Sequence, residues 1–148
     1  MTNAEQERKI FWEMFENELN NQGNPFHIAY RHQYATINRR SSTSDNCVSM
    51  DFLVQKHFLR LGVYMRDNIP AFEYLYANKA SIESELGFEP TWVLKGASNP
   101  NTRRIEICFP FSSYNRSDYQ RVIEKAIPYA VKFIKVIPKY SPECLFDF

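Results

Sequence analysis

The sequence predicts an α+β domain in which helices pack on one face of an antiparallel sheet of about five strands. Apolar residues recur at helical spacing in three segments, at both ends and in the middle of the chain. The segments between them alternate apolar and polar residues, as strands with one buried face do. Few residues separate neighbouring alternating runs, so we expect hairpins and the element order α-β-β-β-α-β-β-α. We expect residues 1–148 to form a single globular domain.

The first helix occupies the N-terminal segment. Thr2 and Glu5 have the spacing of a capping box, in which each side chain satisfies a backbone N–H near the helix start. Gly23 can adopt a left-handed conformation and Pro25 cannot continue a helix, so we expect the helix to end before them. Its apolar stripe contains Ile10, Phe11, Met14, Phe15 and Leu19.

The period of the pattern changes to two after the first helix. We predict a less regular strand between Phe26 and Ile37, then a loop rich in Ser, Thr and Asn at 39–46. Two regular strands follow, and a short turn near Lys56 joins them in a hairpin. Their apolar positions are Val48, Met50, Phe52 and Val54 in the first strand and Leu59, Leu61, Val63 and Met65 in the second.

A second helix is predicted from the N-cap Asn68 to the stop at Gly87, with Pro70 in its first turn. A further hairpin follows, with strands over Thr91–Lys95 and Arg103–Phe109.

The last helix has the most regular apolar stripe of the chain. It begins at Ser117, which has capping-box spacing to Gln120. Pro128 falls inside the pattern, where it removes a hydrogen bond or kinks the helix. We expect Pro138 and Pro142 to end it.

The formal net charge of +1 argues against a uniformly basic nucleic-acid-coating protein. The charges are nevertheless segregated along the chain. Residues 1–22 carry 2 basic and 5 acidic groups, and residues 68–92 carry 1 and 4, so the first two helices are acidic. Residues 23–67 carry 6 basic and 3 acidic groups, and residues 93–148 carry 9 and 5, so the strands and the last helix are basic.

Two arginine doublets stand out in the basic segments, and tyrosine lies close to one of them in sequence. Cations mixed with aromatic rings suit phosphate contacts and base stacking. The candidate residues for contact with nucleic acid or with a protein partner are Arg31, Tyr34, Arg39, Arg40, Arg103 and Arg104. The alternative is a solvated sheet rim whose charges offset the acidic helices.

The sequence carries no recognisable catalytic, metal or cofactor motif. No acid-x-Lys triplet of the kind that a restriction-type nuclease needs falls on a predicted strand. His27 and His32 are five residues apart, an odd spacing that separates them onto opposite faces of a strand. Four scattered glycines leave no phosphate-binding loop. We therefore expect no catalysis, metal or cofactor, although a thiol enzyme using Cys47 with a histidine stays an alternative.

Aromatic residues make up 16% of the chain, and a few of them lie outside the predicted core. They are Phe111 and Tyr114, in a loop before the last helix, and Phe146 and Phe148, in the C-terminal tail. These residues either fold back over the sheet or form an interface with a protein partner or a second copy of the chain.

The N-terminus is polar and acidic, and no stretch approaches the length of a membrane span. Three cysteines without close spacing do not make a disulfide framework. We expect a cytoplasmic protein with free thiols and no membrane partner.

Several segments resemble a bacterial and archaeal domain of unknown function that often stands C-terminal to a restriction-endonuclease-like nuclease domain. The segments are Phe11-Trp12 with Phe15, Gly23-Asn24-Pro25-Phe26, Leu86-Gly87-Phe88 before Trp92, and Arg104-Ile105. The resemblance covers nearly the whole chain, but its residues are helix ends and core aromatics. It implies a fold and a neighbourhood and supplies no catalytic residue.

The first functional hypothesis is therefore a small accessory module without catalysis, which contacts nucleic acid or a nuclease-type protein in a restriction-like defence setting. The alternative is a protein–protein interaction module or homodimer that uses the aromatic loop and the C-terminal tail.

Overall fold

The computed structural model describes residues 3–23, 26–31, 34–39, 48–53, 58–66, 69–95, 100–111 and 116–140. Within these ranges the chain forms four helices and six strands. The helices are α1 (Asn3–Asn21), α2 (Ile69–Ala77), α3 (Lys79–Leu86) and α4 (Arg116–Tyr140). The strands are β1 (Phe26–Arg31), β2 (Tyr34–Arg39), β3 (Val48–Leu53), β4 (Phe58–Arg66), β5 (Thr91–Val93) and β6 (Thr102–Pro110).

The six strands form one sheet in the order β1-β2-β3-β4-β6-β5, and every neighbouring pair is antiparallel. The predicted class, helices with an antiparallel sheet, is therefore confirmed. The predicted strand count and order need correction, because the segment expected to hold one irregular strand forms the pair β1 and β2. The residues at this reversal, Arg31 to Tyr34, include no Gly, Pro, Asn or Asp to indicate a turn.

The predicted second helix is also divided. Asn78 separates α2 from α3, and its side-chain amide donates to the carbonyl of Tyr74 at 2.9 Å. Its backbone N–H donates to the carbonyl of Leu75, three residues earlier. In an α-helix the acceptor would be the carbonyl four residues earlier. The element order is therefore α-β-β-β-β-α-α-β-β-α. Gly87 ends α3 as predicted, with a positive φ of 79°.

The last helix passes through both of its prolines. Pro128 lies inside α4, and the helix continues beyond Pro138 to Tyr140, so Pro138 does not end it as predicted. Several other predictions lie outside the described residues, so the structure does not test them. These are the caps at Thr2 and Asn68, the predicted 39–46 loop except Arg39, which lies in β2, the turn at 54–57, residues 96–99 of the turn before β6, and the stop at Pro142.

The core lies between the sheet and the helices. The predicted apolar positions of β4 are buried, and three of them, Leu59, Leu61 and Val63, pair with Phe109, Ile107 and Ile105 of β6. Trp92 of β5 contacts Phe72 of α2 edge to face, and Phe109 contacts Tyr129 of α4, so α2 and α4 cover this face. The helices α1 and α3 flank α4. Side chains that α1 buries are Phe11, Trp12, Phe15 and Leu19.

The edge strand β1 is joined to α1 by a side-chain hydrogen bond. The Glu16 carboxylate accepts the backbone N–H of Ile28 at 3.0 Å. An unpaired N–H on an edge strand is a template for pairing with another chain, and a carboxylate in that place blocks it.

Candidate functional site

The face of the sheet opposite the helices carries a cluster of charged and aromatic side chains. Residues paired directly across antiparallel strands share a face, so the alternation that buries Leu61 places its neighbours on the other side. Arg60 pairs with Cys108, Gly62 with Glu106, and Tyr64 with Arg104. We call this surface the arginine face, defined by Arg60, Tyr64, Arg104, Glu106 and Cys108.

A single carboxylate lies between two guanidinium groups at the centre of the arginine face. Oε2 of Glu106 is 3.5 Å from Nε of Arg60 and 3.7 Å from Nη1 of Arg104. The Glu106 side chain is only 16% exposed, and within the described part of the chain its Oε2 makes no hydrogen bond. These are ion pairs at a distance longer than a hydrogen bond, and the three groups together carry a net charge of +1.

Arg104 also contacts an aromatic ring. Its guanidinium carbon lies 4.9 Å from the centroid of the Tyr64 ring, within the range of a cation–π interaction. Tyr64 is 38% exposed, so part of its ring remains available to a ligand. The ring and the carboxylate of Glu106 together hold the Arg104 guanidinium in place on the face.

Gly62 separates Arg60 from Tyr64 along β4, and a side chain at this position would clash with β6. A Cβ at this position would lie 1.9 Å from the carbonyl oxygen of Ile105 and 2.8 Å from Cα of Glu106. Both atoms belong to the backbone of β6, so they cannot move aside as a flexible side chain would. The glycine lets β6 approach β4 closely, and this position adds no side chain to the middle of the face.

The predicted Arg103-Arg104 doublet is divided between the two faces of the sheet. Arg104 pairs with Tyr64, whereas Arg103 pairs with Met65. The Arg103 guanidinium donates to the carbonyl of Pro100 at 2.6 Å and to that of Thr102 at 3.1 Å, so it stabilises the turn before β6. Of the two, only Arg104 belongs to the arginine face.

The other predicted contact residues are located by their backbone register. Arg31 pairs with Tyr34, Tyr34 pairs with Asp51, and Asp51 pairs with Arg60. By register, Arg31 and Tyr34 therefore lie in one row with Asp51 and with Arg60 of the arginine face. Arg39 pairs with Phe26 at the other end of β2. The side chains of Arg31, Tyr34 and Arg39, and the whole of Arg40, lie outside the described residues.

Phe111, one of the four predicted interface aromatics, is a core residue. It is 6% exposed and contacts the ring of Tyr119 in α4 edge to face, with centroids 5.7 Å apart. It covers the core, in agreement with the alternative in which the loop folds back, and it offers almost no surface to a partner. Tyr114, Phe146 and Phe148 lie outside the described residues, so their interface role stays a prediction.

Arg60, Tyr64 and Glu106 are site residues that the sequence did not predict. All three occupy polar-side positions of alternating strands, and that alternation is visible in the sequence. Their meeting depends on the pairing of β4 with β6, about 40 residues further along the chain. The same alternation places Arg103 and Arg104 on opposite faces of the sheet. This separation was visible in the sequence, but the predicted site treats the two arginines as one basic group.

No group of three or more His, Cys, Asp or Glu residues in the described ranges could hold a metal ion. None of the described helices combines the length and the apolar composition that a membrane span requires.

Together, these features define an α+β domain with helices on one face of a six-stranded antiparallel sheet and a cluster of arginine and tyrosine on the other. The chain belongs to the family described as domain of unknown function DUF4268, which matches residues 7–141. Membership confirms the resemblance to a domain of unknown function, and the association with restriction nucleases stays a prediction. No curated protein and no solved structure matches the chain.

Proposed function

We propose that the chain is an accessory module that binds single-stranded nucleic acid through the arginine face and performs no catalysis of its own. The observation that carries the proposal is the Arg104 guanidinium held over the exposed Tyr64 ring, on the same face as Arg60. Aromatic rings and arginine planes stack on unpaired bases, and guanidinium groups bind phosphate. A cytoplasmic role beside a restriction-type nuclease is the setting in which we place this activity.

Single-stranded nucleic acid suits this face better than a duplex does. The open face of a six-stranded sheet cannot enter the grooves of a duplex as a helix or a two-stranded ribbon does, but it can support splayed bases. The row of Arg31 and Tyr34 extends the proposed track across the sheet toward β1. Because Glu106 lies between the two arginines and Asp51 pairs with Arg60 in the same row, we expect moderate affinity that falls as salt rises.

The test is fluorescence anisotropy of a labelled mixed-sequence single-stranded oligonucleotide of about 20 nucleotides across a salt series, a length that exceeds the footprint of one small domain. Two variants probe the face, Arg104→Gln and Tyr64→Leu. We expect each to weaken binding by about fivefold or more, because one stacked base is worth about 1–3 kcal/mol.

Arg103→Gln is the matched control. It removes the same charge one residue away, from a guanidinium that contacts turn carbonyls. We expect its affinity to stay within about twofold of the wild type, because the Arg103 side chain lies on the opposite face of the sheet from Arg104 and contacts turn carbonyls. Absence of binding at low salt would overturn the proposal, and so would equal losses in the Arg103 and Arg104 variants. Circular dichroism of each variant checks that the fold is intact.

A further inference from the structure

The outer surface of α4 carries a straight row of basic residues. Six exposed positions follow one another at alternating spacings of four and three residues, the spacing of one helix face. They are Arg121, Lys125, Pro128, Lys132, Lys135 and Lys139. At a rise of about 1.5 Å per residue the row is about 27 Å long.

The two ends of this row are neutralised and its middle is not. Nε of Arg121 lies 2.7 Å from the Asp118 carboxylate, and Nζ of Lys139 lies 2.8 Å from the Glu85 carboxylate. The three cations between them, which we call the lysine stripe, are Lys125, Lys132 and Lys135. They form no ion pair in the part of the chain that the structure describes. Within the described residues, the stripe therefore presents three cations without an ion-pair partner along about 15 Å of helix.

The lysine stripe and the arginine face lie on opposite sides of the domain. The buried side of α4 packs toward the sheet with Ile127, Ala130 and Ile134, and the stripe occupies the opposite side of the same helix. Because the sheet and the helix layer lie between the two surfaces, one ligand site cannot include both. The stripe therefore needs an explanation of its own.

We infer that the lysine stripe contacts the phosphate backbone of duplex nucleic acid. The stripe contains no aromatic side chain for base stacking, and its flexible ammonium groups act as point charges, which suits the sequence-independent contact that phosphates offer. A lipid surface fits less well, because a membrane-bound helix buries an apolar face in the lipid and α4 buries its apolar face in the core. The choice of a nucleic acid over other polyanions rests on the proposed function.

The expected salt dependence of duplex binding follows from the release of counterions from the phosphates. Neutralising three duplex phosphates gives a slope of log K against log salt of about −2.7. Between about 50 and 200 mM salt, the affinity should then fall by about 40-fold. Replacing the three lysines with uncharged residues should flatten the slope by about 2–3.

The experiment measures binding of the full chain to a labelled blunt duplex of about 20 base pairs, longer than the footprint of the row. The test variant is Lys125→Gln, Lys132→Gln and Lys135→Gln combined. The control for total charge combines Lys9→Gln, Lys79→Gln and Lys95→Gln, which lowers the net charge equally at positions elsewhere; Lys9 and Lys79 are paired with Glu13 and Glu83.

We expect the stripe variant to lose the salt dependence and most of the affinity, and the control to keep both. The triple Lys→Arg stripe variant should also keep binding, because it retains the charges. A wild-type chain that does not bind the duplex would overturn the inference, as would equal losses in the stripe variant and the control. Stripe-dependent binding to vesicles containing phosphatidylserine, without binding to the duplex, would also overturn it.

The Arg104→Gln variant separates this inference from the proposed function. Arg104 lies on the opposite side of the domain, so we expect its loss to weaken binding of the single strand and to leave duplex binding unchanged. If the single strand does not bind but the duplex binds through the stripe, the proposed use of the arginine face fails and the stripe remains. If the single strand binds but the duplex does not, the proposed function stands and the inference about the lysine stripe fails.

Discussion

Glu106→Gln should have opposite effects on stability and on binding. The carboxylate lies 3.5 and 3.7 Å from two guanidinium groups, and at an effective dielectric constant of about 20 each pair has a Coulomb energy of about 4–5 kcal/mol. Desolvation of largely buried groups offsets most of this energy. Glutamine has nearly the same shape as glutamate and leaves no cavity, so the change in stability reports the loss of the two ion pairs. We expect the free energy of unfolding to fall by about 1–3 kcal/mol. Urea unfolding followed by circular dichroism measures the change.

The same substitution should strengthen binding to the single-stranded oligonucleotide. It raises the net charge of the three groups from +1 to +2, because Arg60 and Arg104 keep theirs. We expect about twofold or tighter binding at low salt and a salt slope steeper by about 0.7. The matched control is Glu13→Gln, whose carboxylate is 4.0 Å from Lys9 in an exposed pair on α1. It should change stability by less than about 0.5 kcal/mol and leave binding unchanged. Weaker binding by the Glu106 variant, or unfolding identical to the wild type, would refute this account of the arginine face.

Three further predictions concern contacts that position the two surfaces. Gly62→Ala should lower the free energy of unfolding by about 1–3 kcal/mol in urea titrations, because the new Cβ meets the backbone of β6; an unchanged midpoint would contradict this. Glu16→Ala should cost about 1–2 kcal/mol by removing the acceptor of the Ile28 N–H, whereas Glu16→Gln keeps an acceptor and should cost less. Equal losses in the two variants would show that the hydrogen bond does not matter. Hydrogen bonds from Lys139 and Tyr140 lower the pKa of Glu85, so its contribution to stability is present above the unfolded-state pKa of about 4.3 and is lost as pH falls through the lowered folded-state pKa. Thermal melts of Glu85→Gln and the wild type should therefore differ at neutral pH and converge in acid, and a difference that persists in acid would contradict the assignment.

The sequence predicted the parts of the fold that depend on local periodicity. The alternation of Leu59, Leu61 and Val63 identified the buried side of β4 correctly, because period-two burial follows from strand geometry alone. The break at Asn78 was missed because the apolar stripe stays in phase on both sides of it. Phe72 and Leu75 precede the break, and Ile82 and Leu86 follow it at helical spacing, so a one-residue interruption leaves no mark on the pattern.

The candidate site was less accessible from the sequence because it depends on which strands pair. Glu106 meets Arg60 through the register between β4 and β6, and no local pattern specifies that register. The doublet of Arg103 and Arg104 indicated a concentrated positive charge, yet strand alternation turns one guanidinium toward a turn carbonyl and the other toward the Tyr64 ring.

The two proposed surfaces show why the net charge of +1 is a poor guide to the partner of this chain. Arg121 and Lys139 have carboxylate partners, so these two cations add little to the field that an approaching polyanion meets. The lysine stripe has no such partners in the described part of the chain, and its field extends into solvent over about one Debye length. We therefore expect a near-neutral protein to attract a polyanion where cations without ion pairs share a surface, and in the described residues α4 places three of them along one line.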